Sequence, residues 1–202
     1  MGSLNQPPYK TAFLHTDELI FLFLVTMSTS AINSSFDKFN HLKLAKVYQK
    51  ISRPIIVSDR LRTPENMGSV LRLAGNIGAE KTVFISDTAQ QFRLRRIKKT
   101  ASTANENTKW EILDEDQLST FIPLDYQIVA IETSEKAQSI FDFQFPEKTA
   151  FLVGNERYGI RPEILKQADH VVYIPVPGPV SSLNVTHALS IALFEWLRQH
   201  YK

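Results

Sequence analysis

Residues 171–196, VVYIPVPGPVSSLNVTHALSIALFEW, decide how the chain is read. They open with a short β-branched run, pass through a loop holding Pro175, Pro177, Gly178 and Pro179, and end in a long amphipathic pattern. Each proline fixes φ and removes a backbone donor, so the loop is built to keep one shape between a strand and a helix. Ser181, Ser182 and Asn184 stand where the helix has to be capped. Beyond them Val185, Ala188, Leu189, Ala192 and Trp196 form one apolar stripe, which predicts a helix over Val185–His200. A strand that runs through a restricted loop into a capped helix is the edge of an α/β sheet where ligands collect.

Upstream the same alternation repeats from Arg53. Strands are predicted at 54–58, 81–86, 127–132, 149–153 and 171–175. Helices are predicted at 64–76, near 114–121, and at 161–168 with Pro162 in the first turn. The 64–76 helix carries Met67, Val70, Leu71 and Ala74 on one side and Gly78 just past its end. Units of this kind build a mostly parallel sheet flanked by helices, so the fold class is α/β. A further helix is expected at 36–51, and 36–202 is expected to be a single domain behind a poorly defined extension, 1–35. Within that extension LIFLFLV, at 19–25, has the size of a secretory core but follows Asp17 and Glu18 where positive charge would be needed. The expectation is a cytoplasmic protein. The composition changes abruptly at Met27, which makes Met27 an alternative start of translation.

Composition narrows the chemistry. With 202 residues, 43% of them apolar, the chain can bury one full core. A formal charge of +2 permits a nucleic-acid partner without requiring one. Cysteine is absent, which excludes disulfides, thiolate nucleophiles and Cys-ligated metals. The five histidines lack metal-ligand spacing, so no metal is expected. No apolar run reaches the ~20 residues of a membrane-spanning helix. Neither G-x-G-x-x-G after a strand nor a P-loop occurs, and no nucleophile–His pair suggests a hydrolase. Trp110, Trp196 and His187 read as core or surface residues.

Three further stretches carry chemistry. In SDRLRTPENMGSVLR, at 58–72, Pro64-Glu65-Asn66 closes a loop at a strand edge and starts a helix bearing Asn66, Gly68 and Arg72. In FLVGNERYGI, at 151–160, an apolar strand runs into Gly154-Asn155-Glu156, with Gly159 five residues after Gly154. The residues alone leave two readings open: a turn made for close approach of a ligand, or a turn whose Glu156 supports the N-terminus of the helix starting near Pro162. The basic run holding Arg93, Arg95, Arg96, Lys98 and Lys99 is by default a solvated helix face.

In this order, N-x-G-x3-R, a strand followed by G-x-E-x-x-G, and I-P-x-x-G followed by S-L-N-V resemble the three motifs of the SpoU/TrmH family of RNA ribose methyltransferases, within the SPOUT class. The resemblance implies a C-terminal deep trefoil knot, S-adenosyl-L-methionine as cofactor, and metal-free methyl transfer to a ribose 2′-hydroxyl of structured RNA. It implies catalytic roles for Asn66, Arg72, Glu156, Ser182 and Asn184. Cofactor contacts would come from Val153, Gly154, Ile174, Pro175, Ser182 and Leu183. The basic run Arg93, Arg95, Arg96, Lys98 and Lys99 becomes the candidate for RNA phosphates. A homodimer is implied, with the last helix packing between subunits. The chain stops soon after the third motif and has no room for the N-terminal RNA-binding domain of many ribosomal-RNA members, so tRNA is favoured over rRNA. An rRNA ribose methyltransferase and a non-catalytic RNA-binding protein of the same fold are the alternatives.

Overall fold

The computed structural model describes residues 44–86, 94–101, 104, 108–114 and 118–201. Of an N-terminal unit ending at Lys46 only residues 44–46 are described, and the architecture below belongs to the unit that begins at Val47. Strands β1 (Ile55–Asp59), β2 (Lys81–Ile85), β3 (Trp110–Leu113), β4 (Gln127–Ile131), β5 (Gln138–Ser139), β6 (Thr149–Val153) and β7 (His170–Tyr173) form one sheet. Its order is β3-β2-β1-β6-β4-β7-β5, and every pairing is parallel. The helices are α1 (Leu44–Val47), α2 (Pro64–Ile77), α3 (Leu94–Ala101), α4 (Leu118–Phe121), α5 (Pro162–Leu165) and α6 (Val185–His200). This is the expected α/β fold with a parallel sheet between helices.

The central strands β1 and β6 are buried at every position, which is why IIV and TAFLV read as unbroken runs instead of alternating. Successive side chains still point to opposite faces. Ile56, Phe84, Phe151 and Val172 pack with Met67, Leu71, Leu189 and Trp196 of α2 and α6 on one face. Ile55, Val57, Val83 and Leu152 meet Leu118 of α4 and Ile160 and Ile164 around α5 on the other. Trp196 is fully buried, edge-on to Phe151, and its Nε1 donates to the Pro146 and Glu147 carbonyls at 3.1 and 3.2 Å. Gly68 lets α2 and α3 touch, since a Cβ there would lie 2.5 Å from Thr100 Cβ. Among the described residues no helix is long and apolar enough to cross a membrane.

Several boundaries differ from the expectation. The 36–51 helix lies largely outside the described residues, and the part seen ends at Val47 with a turn at 48–50 before Pro54. Pro54 disfavours helical backbone at the residue before it. Of the piece expected near 114–121 only Leu118–Phe121 is helical among the described residues, and it follows an unexpected strand, β3. Strand β3 is an edge strand with no buried residue, so its four residues lack the apolar run that marks β1. The 161–168 helix is a single turn, Pro162–Leu165, because the chain turns back to let Asp169 pair with Ile128 of β4.

Candidate functional site

Two segments far apart in sequence meet at the Glu156 carboxylate, and a third reaches them through Asn66. Its oxygens accept from the Arg62 N–H (3.0 Å), the Thr63 N–H (3.2 Å), the Thr63 hydroxyl (3.1 Å) and Asn66 Nδ2 (2.8 Å). Thr63 is the N-cap of α2, its Oγ1 also accepting from the Asn66 N–H at 3.3 Å. A carboxylate among unsatisfied N–H groups at a helix N-terminus is well placed electrostatically. Burial alone would raise the Glu156 pKa, but the donors from Arg62, Asn66 and Thr63 outweigh it and hold the group below its ordinary value. Glu156 thus serves a helix N-terminus, but that of α2, not the helix near Pro162. Asn66 Oδ1 in turn accepts from Asn184 Nδ2 at 3.4 Å. Asn184 is the N-cap of α6, accepting from the Thr186 N–H at 2.8 Å and the Thr186 hydroxyl at 2.6 Å. Of the three possible caps read from the sequence, Asn184 is the one used.

The loop after β6 is held by its own backbone. Asn155 and Gly159 exchange N–H···O bonds of 2.9 and 3.0 Å, and the Asn155 amide oxygen accepts from the Arg157 and Tyr158 N–H groups. A Cβ on Gly154 would lie 2.2 Å from the Gly159 carbonyl carbon and 2.3 Å from Ile160 N, so no other residue fits there without moving backbone. Glu132, at the end of β4, accepts from the Thr133 N–H at 3.0 Å and the Ile160 N–H at 2.9 Å, tying β4 to this loop. Behind it, fully buried Asp59 accepts from the Arg161 N–H at 2.9 Å and from its guanidinium at 2.7 to 3.2 Å.

A cavity of about 420 Å³ opens between these loops. Of the expected cofactor contacts, Val153, Gly154, Ile174, Ser182 and Leu183 line it. Pro175 does not: it is exposed while its neighbours Ile174 and Val176 line the cavity, as alternate positions of an extended segment do. Glu156 lines it, whereas Asn66 and Asn184 stand behind Glu156 in the hydrogen-bonded row. Arg72 is exposed on α2, about 120° around the helix from Asn66, and has no hydrogen bond or ion pair among the described residues. On α3, Arg95, Lys98 and Lys99 are exposed, and Arg96 pairs with Glu65 at 3.2 Å. Arg93 lies outside the described residues.

Sequence reasoning missed Glu132, Thr133, Asn155 and the Asp59–Arg161 pair. Asn155 was within reach, since it sits between Gly154 and Glu156 where a turn needs a side-chain acceptor. Glu132 follows an apolar strand like many surface acids, and no spacing relates it to Ile160.

The second and third motifs therefore line one cavity at the C-terminal ends of parallel strands, and the first adjoins it through the Asn66–Glu156 hydrogen bond. Comparison with known proteins agrees in fold and in coverage. The chain is 27% identical over 180 residues to the tRNA (guanosine(18)-2′-O)-methyltransferase TARBP1 of Mus musculus, a match covering 87% of this chain and 11% of that protein. It superposes on the TrmH/SpoU tRNA modifying enzyme of A. aeolicus with a TM-score of 0.67 and 26% identity, over 76% of this chain and 78% of that one. It superposes on an AdoMet-bound rRNA methyltransferase from Sinorhizobium meliloti with a TM-score of 0.66 and 25% identity, over 75% of this chain and 58% of that one. The chain thus spans a small part of the mouse relative and just over half of the Sinorhizobium chain. Residues 53–194 match the profile of the SpoU rRNA Methylase family, a span that contains all three motifs, both asparagines and Glu156, and the chain belongs to that family.

Proposed function

We propose that this chain is an S-adenosyl-L-methionine-dependent methyltransferase acting on a ribose 2′-hydroxyl of structured RNA. The observation that carries the reading is the row Glu156, Asn66, Asn184, which joins the three motifs at the edge of a cavity suited to the cofactor. The volume of about 420 Å³ lies in the range of small-molecule sites. Val153, Ile174, Leu183, Val185 and Ala188 offer an apolar wall for a flat base, and the bare backbone at Gly154 allows close approach. The carboxylates of Glu132 and Glu156, against the single guanidinium of Arg157, suit a cofactor of net positive charge. When bound, that cofactor supplies an electrophilic methyl group on a sulfonium.

The chain's own residues position the acceptor. The 2′-hydroxyl passes its proton to a neighbouring RNA phosphate or to water as its oxygen gains the methyl group, so negative charge developing on that oxygen has to be accommodated. Arg72 supplies the charge for this, either at the oxygen or at a neighbouring phosphate. A guanidinium keeps its charge in proteins, so the role open to it is electrostatic and not that of a free base. Asn66 and Asn184 orient the target nucleotide through their amides, with Ser182 beside them at the cavity wall. The basic face of α3, with Arg95, Lys98 and Lys99, takes RNA phosphates.

Transfer RNA is the favoured substrate, supported by the mouse relative named for tRNA, whose match covers 87% of this chain. A ribosomal RNA is the second reading, supported by the likeness to the Sinorhizobium rRNA methyltransferase. The working form is a homodimer through the outer face of α6, where Ile191 and Phe194 are 37% and 50% exposed; Val180 and Leu183 of the preceding loop are exposed as well. The testing experiment is calorimetric titration with S-adenosyl-L-methionine, then transfer of radiolabelled methyl to separate tRNA and rRNA fractions and digestion to 2′-O-methyl nucleosides. Cofactor binding with label in tRNA is expected. Label in rRNA alone replaces the substrate, and folded protein that binds no cofactor leaves only an RNA-binding module.

A further inference from the structure

We propose that Tyr158 and Arg157, at the tip of the loop after β6, form a stacking platform for an unpaired base of the RNA substrate; this rests on reading the chain as an RNA ribose methyltransferase. Tyr158 is 74% exposed, and its ring contacts the Arg157 guanidinium, 5.4 Å from the ring centroid. The apolar core closes without this side chain. Its presentation is nevertheless rigid. Asn155 Oδ1 accepts from the Arg157 and Tyr158 N–H groups at 2.9 and 3.2 Å, and Asn155 Nδ2 donates to the Arg60 carbonyl at 2.6 Å. Asn155 and Gly159 pair across the turn. A loop already ordered loses little further entropy on binding.

Position decides what the pair meets. Glu156, Arg157 and Gly159 line the cavity and Tyr158 does not, so its exposed ring lies outside the cavity, on the tip of a loop whose other residues form part of the cavity wall. A ribose hydroxyl becomes reachable when its nucleotide leaves the stack, and unstacked bases are held on aromatic rings and guanidinium planes. An exposed tyrosine beside an arginine supplies both surfaces, and the adjacent positive charge favours the RNA backbone. Stacking is tolerant of base identity, so the platform holds the nucleotide while other contacts select it.

The test uses full-length protein and whichever unmodified RNA fraction, tRNA or rRNA, the wild type methylates. Tyr158→Ala is expected to weaken RNA binding and lower kcat/KM by about 5- to 100-fold, the usual worth of one stacked base. Cofactor affinity and thermal midpoint should stay at the wild-type values, and so should the slope of log K against log salt, because no phosphate contact is lost. Tyr158→Phe should retain function, while Arg157→Ala should make the salt slope shallower by about one. Wild-type RNA binding by Tyr158→Ala overturns the proposal. So does equal loss in Tyr158→Phe, which would assign the effect to the hydroxyl, or a shift of Tyr158→Ala towards monomer in sedimentation, which would place the ring between subunits. Failure of the wild type itself to bind cofactor or transfer methyl strikes the enzymatic reading instead, and the proposal falls with it.

Discussion

Asn66 Nδ2 donates to Glu156 Oε1 over 2.8 Å, joining residues ninety positions apart. The same carboxylate takes the Arg62 and Thr63 N–H groups, so it does for the N-terminus of α2 what a capping-box glutamate does locally.

That arrangement makes Glu156 acid-sensitive. Its folded pKa is depressed, so its contribution is present above the ordinary carboxylate value and is lost as pH falls through the folded pKa. At neutral pH Glu156→Ala is expected to cost about 1–2 kcal/mol in urea unfolding and to abolish turnover. In acid, below the folded pKa, the difference from wild type should shrink. A difference that is the same at both pH values would sink the assignment.

Asn184 has two separable jobs, capping α6 and reaching Asn66. Asn184→Ala is expected to lose both, with about 1 kcal/mol of stability. Asn184→Asp keeps the capping acceptor but replaces the Nδ2 donor with a second carboxylate oxygen near Asn66 Oδ1. It should therefore fold like the wild type and yet turn over poorly. Wild-type kcat in Asn184→Asp would show that only the cap matters.

Arg72 is exposed and makes no hydrogen bond or ion pair among the described residues, so its removal should leave stability within about 0.5 kcal/mol. Arg72→Ala should also leave calorimetric cofactor affinity unchanged while abolishing methyl transfer. Unchanged turnover would remove Arg72 from the mechanism.

The Asp59–Arg161 pair is a structural device under the cavity. Asp59 is fully buried and the Arg161 side chain is 13% exposed. Breaking such a pair from one side costs up to about 3–5 kcal/mol, because a largely buried guanidinium loses its closest carboxylate, although it keeps Glu163 at 3.7 Å. Asp59→Ala should lower the thermal midpoint by about 10 °C and weaken cofactor binding through the displaced loop between β6 and α5. An unchanged midpoint would mean that water replaces the carboxylate at no cost.

Sequence reading worked where local physics determines the outcome. The α6 helix appears at the bounds its stripe and cap predict, and α2 runs from Pro64 to one residue past its predicted end. It was weaker where elements are short and lie at an edge: β3 and β5 carry four and two residues, too few for a period to show. The six expected site residues that line the cavity, Val153, Gly154, Glu156, Ile174, Ser182 and Leu183, belong to the motifs. Glu132 does not, since its partner Ile160 is set by sheet order alone.

The sequence by itself determined the α/β class, the strand-loop-helix edges and the three motifs, because periodicity, caps and prolines act within a few residues. Only the tertiary structure decided that Glu156 belongs to α2 and not to α5, that Asn184 reaches Asn66, and that Arg72 is exposed. The physical reason is the sheet order, which brings β6 beside β1 and so sets the loop after β6 against the start of α2, across ninety residues of chain. Hydrogen bonds over that distance have no spacing rule in the sequence.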